Sequence, residues 1–325
     1  MSRGSATDNP EEKSVFDTVS DRTLTRQQRA RRRVDRFVNT LQILWSDPRT
    51  LVASLIILFY VGMGTIGILL VPAPNSTVSD PLVPPLETVE HPLGTTGLGV
   101  DLWALTVHAT PFMLKMMIAG ALFTAVIAVV IGLVSGYRGG TVDRVLSTVT
   151  DIAITVPGLP LFIVLAALLQ PTSPYVVGVI LSVNRWAGLA RQVRSEALSI
   201  REEAYVEASE AMGMSQWRLL YDDFLPNIMP FVTIRFANAA KGIVYASVAL
   251  YFLGLLPASG ANWGVVMNKA NTIGNALSRP EAFHWILVPM MTVVILSWAL
   301  ATFAQGADRL FNPRIRTKMR DDTGD

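Results

Sequence analysis

The chain has 325 residues, of which 51% are hydrophobic and only 16% are charged, with a formal net charge of +2. Soluble domains carry about 25% charged residues, so this composition indicates a membrane protein, and the small net charge argues against a nucleic-acid-binding function. The chain has no cysteine and its three histidines show no metal-ligand spacing, which excludes disulfides and thiol chemistry and leaves no metal site to predict.

The N-terminal region is first polar and then strongly basic. Residues 1–25 are rich in Ser, Thr, Asp and Glu, which predicts a disordered cytoplasmic tail. Residues 26–50 combine clustered arginines with apolar residues such as Phe37 and Leu41, a pattern typical of an amphipathic interfacial helix that binds membrane lipids. The same arginines could form a nucleic-acid-binding arm, but a membrane span follows at once, so we favour the interfacial helix.

Six segments are apolar enough to be membrane spans, because a helix needs about 20 apolar residues to cross a bilayer. They cover approximately residues 51–71, 111–135, 145–169, 175–189, 230–256 and 283–307. Pro157, Gly158 and Pro160 interrupt the third segment and predict a kink there. The predicted fold is therefore an all-α integral membrane bundle of six transmembrane helices, preceded by the interfacial helix.

The placement of lysine and arginine predicts the orientation of these spans. Basic residues cluster before the first span, after the second, after the fourth and beyond the last, whereas the outer loops hold few. By the positive-inside rule both termini are cytoplasmic, and the chain is a multi-pass protein of the plasma or inner membrane. Residues 309–325 then form a cytoplasmic tail, and residues 72–110 form an extracytoplasmic segment whose many prolines favour an extended chain.

The inner segment 194–227 is far longer than a simple connection between two spans requires. Most of its first half favours helix, and Ala204, Ala208 and Ala211 share one face of that helix. A face of small residues lets another helix approach closely. From these residues alone, a hairpin packed on its own bundle and a docking surface for a partner are both open interpretations.

The second half of this segment contains residues that are typical of helix ends. Gly213 suits a left-handed helix stop, and Ser215 suits the N-cap of a second short helix. Trp217 lies on that second helix, and a large aromatic residue outside the lipid favours contact with another surface. We expect Pro226 to end the second helix.

The stretch EASEAMGMSQWRLLYDDFLPN, residues 207–227, resembles the EAA loop of ABC-importer permeases. The positions that match the pattern of that loop are Glu207, Ala208, Gly213, Leu225 and Pro226. Ser209 and Asp223 depart from it, because the family carries Ala and Ile at these two places. The resemblance implies that these residues, together with Trp217, form a coupling helix that docks in a groove on an ATP-hydrolysing subunit.

Further motifs resemble the C-type permease subunits of dipeptide and oligopeptide importers. They are HPLG at 91–94, GYRGGTVDR at 136–144, GLARQVRSEALSIREEAYVEA at 188–208 and YFLGLLPASGANWG at 251–264. Several motifs in the same order and spacing are a more specific signal than any one of them. The resemblance implies the type I ABC importer transmembrane fold, with the permease core at residues 111–308.

The resemblance also implies a function and a set of partners. The chain would form half of the translocation path for di- or oligopeptides in a binding-protein-dependent importer. Its implied partners are a second permease subunit in a heterodimer, two ABC ATPase subunits and an extracytoplasmic substrate-binding protein, with no cofactor and no nucleic acid. The chain contains no GxxxxGK[ST] phosphate-binding loop, so we expect ATP to be hydrolysed by the partners and the chain itself not to be an enzyme.

Two alternatives stay open at this point. The same architecture could import nickel or another small solute, because the residues do not determine the substrate. The chain could also be a non-transport membrane scaffold whose inner segment recruits partners. An intramembrane enzyme is disfavoured, because the spans contain too few ionisable groups to assemble a catalytic site.

Three residues are candidates for the translocation path. Lys241 lies near the middle of the fifth predicted span, where an unpaired cation costs about 3 kcal/mol on an insertion scale. It should face a water-filled path or a partner, although a structural ion pair is an equal alternative. Ser247 stands where the resembling subunits usually carry Glu, and Arg185 in the fourth segment could line the path or anchor at the interface.

Overall fold

The computed structural model of the protein describes residues 47–75, 79–257 and 261–311. The predicted N-terminal tail, most of the predicted interfacial helix and the C-terminal residues from 312 onward lie outside this part of the chain. Within the described ranges the chain forms helices and no β-strand, so the prediction of an all-α fold is confirmed.

The helices follow one another with short connections, apart from a long outer segment between the first two. In chain order they are α1 (Pro48–Leu70), α2 (Leu102–Arg138), α3 (Gly140–Thr155), α4 (Gly158–Leu169), α5 (Pro174–Ile180), α6 (Arg185–Arg201), α7 (Ala204–Ala211), α8 (Gln216–Leu219), α9 (Leu225–Phe252), α10 (Trp263–Thr272) and α11 (Phe283–Phe311). One π-helical turn, Met63–Gly67, lies within α1, and a second, Leu220–Phe224, joins α8 to α9.

Not every predicted span is a single apolar helix. Among the described residues, α1, α2 and the stretch Pro280–Ala307 are long and apolar enough to cross a bilayer, and the pair α3–α4 would make a fourth span. The fourth predicted segment is divided into α5 and α6 by a turn at residues 181–184. Helix α9 has 28 residues, which is enough to cross, but its polar Arg235, Asn238 and Lys241 lower its hydropathy.

The kink predicted in the third segment is confirmed. Helices α3 and α4 meet at a bend of 86°. Proline at position 157 lacks a backbone N–H and cannot continue the hydrogen bonding of α3, which explains the break. The Nδ2 atom of Asn184 donates a hydrogen bond to the carbonyl of Val156 at 3.0 Å, so one backbone group freed by the break is satisfied from the turn between α5 and α6.

Helix α2 begins at Leu102 rather than near Pro111, because Asp101 caps it. The carboxylate of Asp101 accepts hydrogen bonds from the backbone N–H groups of Trp103 at 3.0 Å and Ala104 at 3.3 Å. Pro111 consequently lies inside the helix. The predicted outer segment therefore ends in helix, and its chain before Asp101 has no helix among the described residues.

The outer segment is fastened to the bundle at the buried Thr95. The hydroxyl of Thr95 donates to the carbonyl of Asp80 at 2.7 Å and accepts from the N–H of Val83 at 2.9 Å. Its carbonyl accepts from Nε2 of His284 in α11 at 2.8 Å. The carbonyl of Gly94 accepts from the N–H of Leu102 at 3.1 Å, so the HPLG motif region is connected to both the start of α2 and the start of α11.

Helix α2 is the centre of the bundle, and it contacts α5 and α6 through glycines. A Cβ atom at Gly178 of α5 would fall 2.2 Å from the carbonyl oxygen of Met116, so the α2 and α5 backbones are in direct contact there. Gly132 and Gly136 of α2 lie one turn apart against α6, where Cβ atoms would fall 2.7 Å from the oxygen of Ala190 and 2.8 Å from the oxygen of Arg194. This is the small-residue spacing by which membrane helices approach closely.

We expect Gly132→Ala to destabilise the helix pair by about 1–3 kcal/mol, because its new methyl group would overlap the α6 backbone. Gly188→Ala on α6 is the matched control, since a Cβ there meets nothing within 4 Å. The control should be neutral or stabilising by up to about 1 kcal/mol through helix propensity. Thermal unfolding of both variants in detergent tests this, and equal effects would contradict the contact.

Candidate functional site

The turn between α7 and α8 has the left-handed geometry predicted at Gly213. Its φ angle is +76°, and the N–H of Met214 donates to the carbonyl of Ser209 at 3.2 Å to close the end of α7. A side chain rarely adopts this backbone conformation, so glycine is suited to the position. Ser215 lies at the predicted N-cap, but only its carbonyl takes part, accepting from Arg218 at 3.0 Å and Leu219 at 3.1 Å.

The expectation that Pro226 ends the second helix is wrong. Helix α8 passes through the π-helical turn into α9 without a break, and Pro226 lies in the first turn of α9. In the π-helical turn the N–H of Leu225 donates to the carbonyl of Leu220, five residues back. Proline is tolerated at this place because the first residues of a helix do not need their N–H groups for α-helical bonds.

One face of the α7–α8 segment is buried against the rest of the chain. Val206, Leu219 and Phe224 are almost completely buried in a cluster that includes Tyr137 at the end of α2. The rings of Tyr137 and Phe224 pack edge to face with centroids 5.4 Å apart. The segment is therefore anchored to the bundle by apolar side chains rather than attached as a free loop.

The other face of this segment presents large side chains to the surface. Met212, Trp217 and Tyr221 are 71%, 68% and 71% exposed. The guanidinium carbon of Arg138 lies 5.9 Å from the ring centroid of Trp217, a cation–π contact between the end of α2 and α8. We call Met212, Trp217 and Tyr221 the docking face.

The other residues predicted for this site lie on the same segment. Glu207 and Ala208 belong to α7, Leu225 is half-buried at the start of α9, and Pro226 is exposed beside it. Ala204 and Ala211, from the predicted small-residue face, are both exposed.

An ion pair that the sequence did not reveal joins α3 to α6. Arg194 of α6 donates from Nε and Nη2 to the two carboxylate oxygens of Asp143 in α3, at 2.5 and 2.6 Å. The hydroxyls of Ser135 and Ser147 donate to the same carboxylate at 2.5 and 3.1 Å.

A second pair lies nearby at the surface. Arg191 donates from Nη2 to Asp151 at 2.6 Å, and both side chains are more than half exposed. The two pairs border a cavity of about 380 Å³ between α2, α3 and α6. Because each arginine already binds a carboxylate, this cavity carries no uncompensated charge from Arg191 and Arg194.

Among the three predicted path residues, Arg185 contacts α9 at the position next to Lys241. Arg185 opens α6, and its Nε donates to the carbonyl of Leu181 at 2.9 Å and its Nη2 to the carbonyl of Gly242 at 3.3 Å. Lys241 is the neighbour of Gly242 on α9 and is half-buried. Ser247, in contrast, is completely buried and donates to the carbonyl of Val244 at 2.8 Å, so it lies inside the bundle.

Residues 128–317 match the family of binding-protein-dependent transport system inner membrane components, and the chain belongs to that family. It is thus a multi-pass membrane protein and an ABC-importer permease subunit, as the sequence motifs indicated. It is 30% identical over 268 residues to the dipeptide transport system permease protein DppC of Bacillus subtilis (strain 168), with 80% of each chain covered. It is 26% identical over 229 residues to the oligopeptide permease OppC of the same organism, covering 70% of this chain and 73% of OppC.

Among solved structures, the inward-facing MetNI methionine ABC transporter aligns with a TM-score of 0.49 and 18% identity. The alignment covers 63% of this chain and 97% of the MetNI chain.

We expect Asp143→Asn to lower stability by about 1.5–3 kcal/mol, because it leaves the partly buried Arg194 without its carboxylate. Asp151→Asn is the matched control, because it removes the exposed pair with Arg191 and should cost less than about 1 kcal/mol. Melting temperatures of the two purified variants decide between these outcomes. Equal losses of stability in the two variants would mean that the Asp143–Arg194 pair has no special structural role.

Proposed function

We propose that this chain is one of two related permease subunits that together enclose the path of an ATP-driven importer for di- or oligopeptides. The names of the relatives support the substrate class, since they are dipeptide and oligopeptide permeases. The family description supports delivery of the solute by a binding protein outside the membrane. The remaining partners would be a companion permease and two ABC ATPase subunits.

In this proposal the subunit crosses the membrane six times with both termini in the cytoplasm. The broken unit α5–α6 and helix α9 would supply the fourth and fifth crossings. With a rise of 1.5 Å per residue, α9 is about 42 Å long, more than the hydrocarbon core of about 30 Å. The basic residues near the ends of α2, α6 and α11 support the orientation. The interfacial helix predicted for residues 26–50 would lie along the inner membrane surface up to the start of α1 at Pro48.

The docking face is the observation that carries the proposal. Exposed methionine and aromatic side chains on a surface outside the lipid favour a protein partner. The opposite face of the same segment is anchored by Val206, Leu219 and Phe224, so a partner would bind a rigid surface. We assign this surface, within segment 194–227, to contact with an ATPase subunit.

Transport would follow from movement of this segment with the ATPases. ATP binding closes the ATPase pair, and the bound segment moves with its partner. Because α8 continues into α9 through a helical turn, that movement would pass directly to a membrane helix. ATP can drive the change only if it favours one state of the path over the other. Hydrolysis would return the subunit to its starting state.

We expect Gly213→Val to insert and assemble but to lose most substrate-stimulated ATPase activity. A β-branched residue is strained at a φ of +76°, so the α7–α8 turn and the docking face should reorganise. Gly213→Asn is the matched control, because Asn tolerates this conformation and the position has open space. Steady-state ATPase rates of reconstituted complexes are the measurement. Unchanged stimulation in Gly213→Val would refute a role for the turn.

Cross-linking tests the partner directly, because the chain has no cysteine of its own. A single cysteine at Trp217→Cys should cross-link to an ATPase subunit in the assembled complex. Leu219→Cys lies on the same helix but is fully buried, so it should not cross-link. If Trp217→Cys forms no cross-link to an ATPase subunit in a complex that still transports, the assignment of the docking face is wrong.

Uptake assays separate the peptide importer from the alternatives. Proteoliposomes that contain the whole complex should take up labelled dipeptide in an ATP-dependent manner. Uptake of nickel ions without peptide uptake would show the same architecture with another solute. Assembly without any ATP-dependent uptake would indicate a scaffold.

A further inference from the structure

Several helices of the bundle carry cations without carboxylates on the same helix. Helices α2, α4, α5 and α9 contain no aspartate or glutamate, and the first acidic residue of α6 is Glu196. Basic residues in the same elements include Lys115, Arg185, Arg235 and Lys241. Charges inside a membrane protein almost always face a partner or a water-filled route, so their placement carries functional information.

Arg185 reaches α9 at the residue next to Lys241. The guanidinium of Arg185 reaches α9 at Gly242, where a Cβ atom would fall 2.7 Å from Nη1. The guanidinium carbon also lies 5.9 Å from the ring centroid of Phe162 in α4. Two of the five N–H donors of Arg185 bind backbone carbonyls, which leaves donors free for another acceptor.

Lys241 has no hydrogen bond or ion pair with any residue that the structure describes. It lies at the edge of an exposed face of α9 that also contains Asn238 and Tyr245. A polar face in the middle of a membrane helix is unfavourable against lipid tails. This face therefore borders water or another subunit.

The backbone around these cations is also irregular. The break between α3 and α4 and the turn between α5 and α6 adjoin each other, connected by the Asn184 hydrogen bond to Val156. Arg185 directly follows this turn. Irregular backbone at membrane depth is tolerated only where it is buried in protein or borders a water-filled route. Broken helices commonly surround the solute site of transporters.

We propose that Arg185 and Lys241 form a cationic station on this subunit's wall of the route, which binds the carboxylate of the passing solute. The station rests on the proposed function, since it requires a transported solute. Its ligand would be a solute with a free carboxylate, such as a peptide with an unblocked C-terminus. The unused donors of Arg185 and the ammonium group of Lys241 supply charge-assisted hydrogen bonds to that group.

The test compares uptake of one peptide as its free acid and as its C-terminal amide. Proteoliposomes contain the complete complex with saturating binding protein, and the ratio of the two uptake rates is measured. In Lys241→Met this ratio should fall about tenfold, as expected for loss of one charge-assisted hydrogen bond. The selectivity of the binding protein is the same in the wild-type and the variant complex. It therefore cancels when the uptake ratios of the two complexes are compared. Lys241→Arg keeps the charge and should keep the ratio.

Lys115→Met is the matched control, because Lys115 is an exposed cation of α2 that is not assigned to the station. It should leave the ratio unchanged. If Lys241→Met does not assemble, Gly242→Ala displaces Arg185 and should lower the same ratio. The proposal would be overturned by an unchanged ratio in Lys241→Met or Gly242→Ala. It would also be overturned by an equal fall in Lys115→Met, or by an equal loss of uptake of both peptide forms. Failure of the wild-type complex to take up either form would instead refute the proposed function.

Discussion

The close contact of α2 with α6 is the constraint on which both candidate sites depend. Gly132 and Gly136 let the two backbones approach to a distance that no side chain would permit. The Asp143–Arg194 pair then connects α3 to the same helix. Helix α6 begins at Arg185 on the proposed route and ends at Arg201, shortly before α7 and the docking face. The contact of α6 with α2 therefore determines the position of Arg185 at the start of α6 and the position of α7, which follows its end.

Helix α9 connects the same two places by a different route. Met212 and Trp217 of the docking face precede the π-helical turn that continues into α9, and Lys241 lies farther along that helix. At 1.5 Å per residue, Trp217 and Lys241 are about 36 Å apart along the helical path. Continuous helix transmits displacement with little loss, because its backbone hydrogen bonds resist bending. In the proposed function, displacement of the docking face by a partner would therefore move α9 without a separate relay.

Local signals made much of this architecture predictable from the sequence. The kink at Pro157 and the left-handed turn at Gly213 were predicted because proline and glycine act through their own backbone. Pro226 misled the prediction, because its effect depends on the π-helical turn before it, which no local residue preference announces. The Asp143–Arg194 pair was also missed, since it joins residues 51 positions apart.

The candidate path was only partly predictable for a related reason. Lys241 was conspicuous because a charge in an apolar stretch is rare, but its proximity to Arg185 depends on how α6 packs against α9. Ser247 was selected by comparison with a family position, and the structure buries it in the core. Which side of a helix faces the interior is decided by neighbouring helices, and the mixed polarity of α9 left that side ambiguous in the sequence.

The π-helical turn at Leu220–Phe224 has a consequence for how this chain can change over time. Each residue of an α-helix rotates the chain by about 100°, so one additional residue sets the angle between everything before it and everything after it. Deletion of one residue of this turn other than Tyr221 would keep the side chains of the docking face and of Lys241, but would rotate the two relative to each other by about 100°. During evolution, the number of residues in this turn is therefore more strictly constrained than the identities of its side chains.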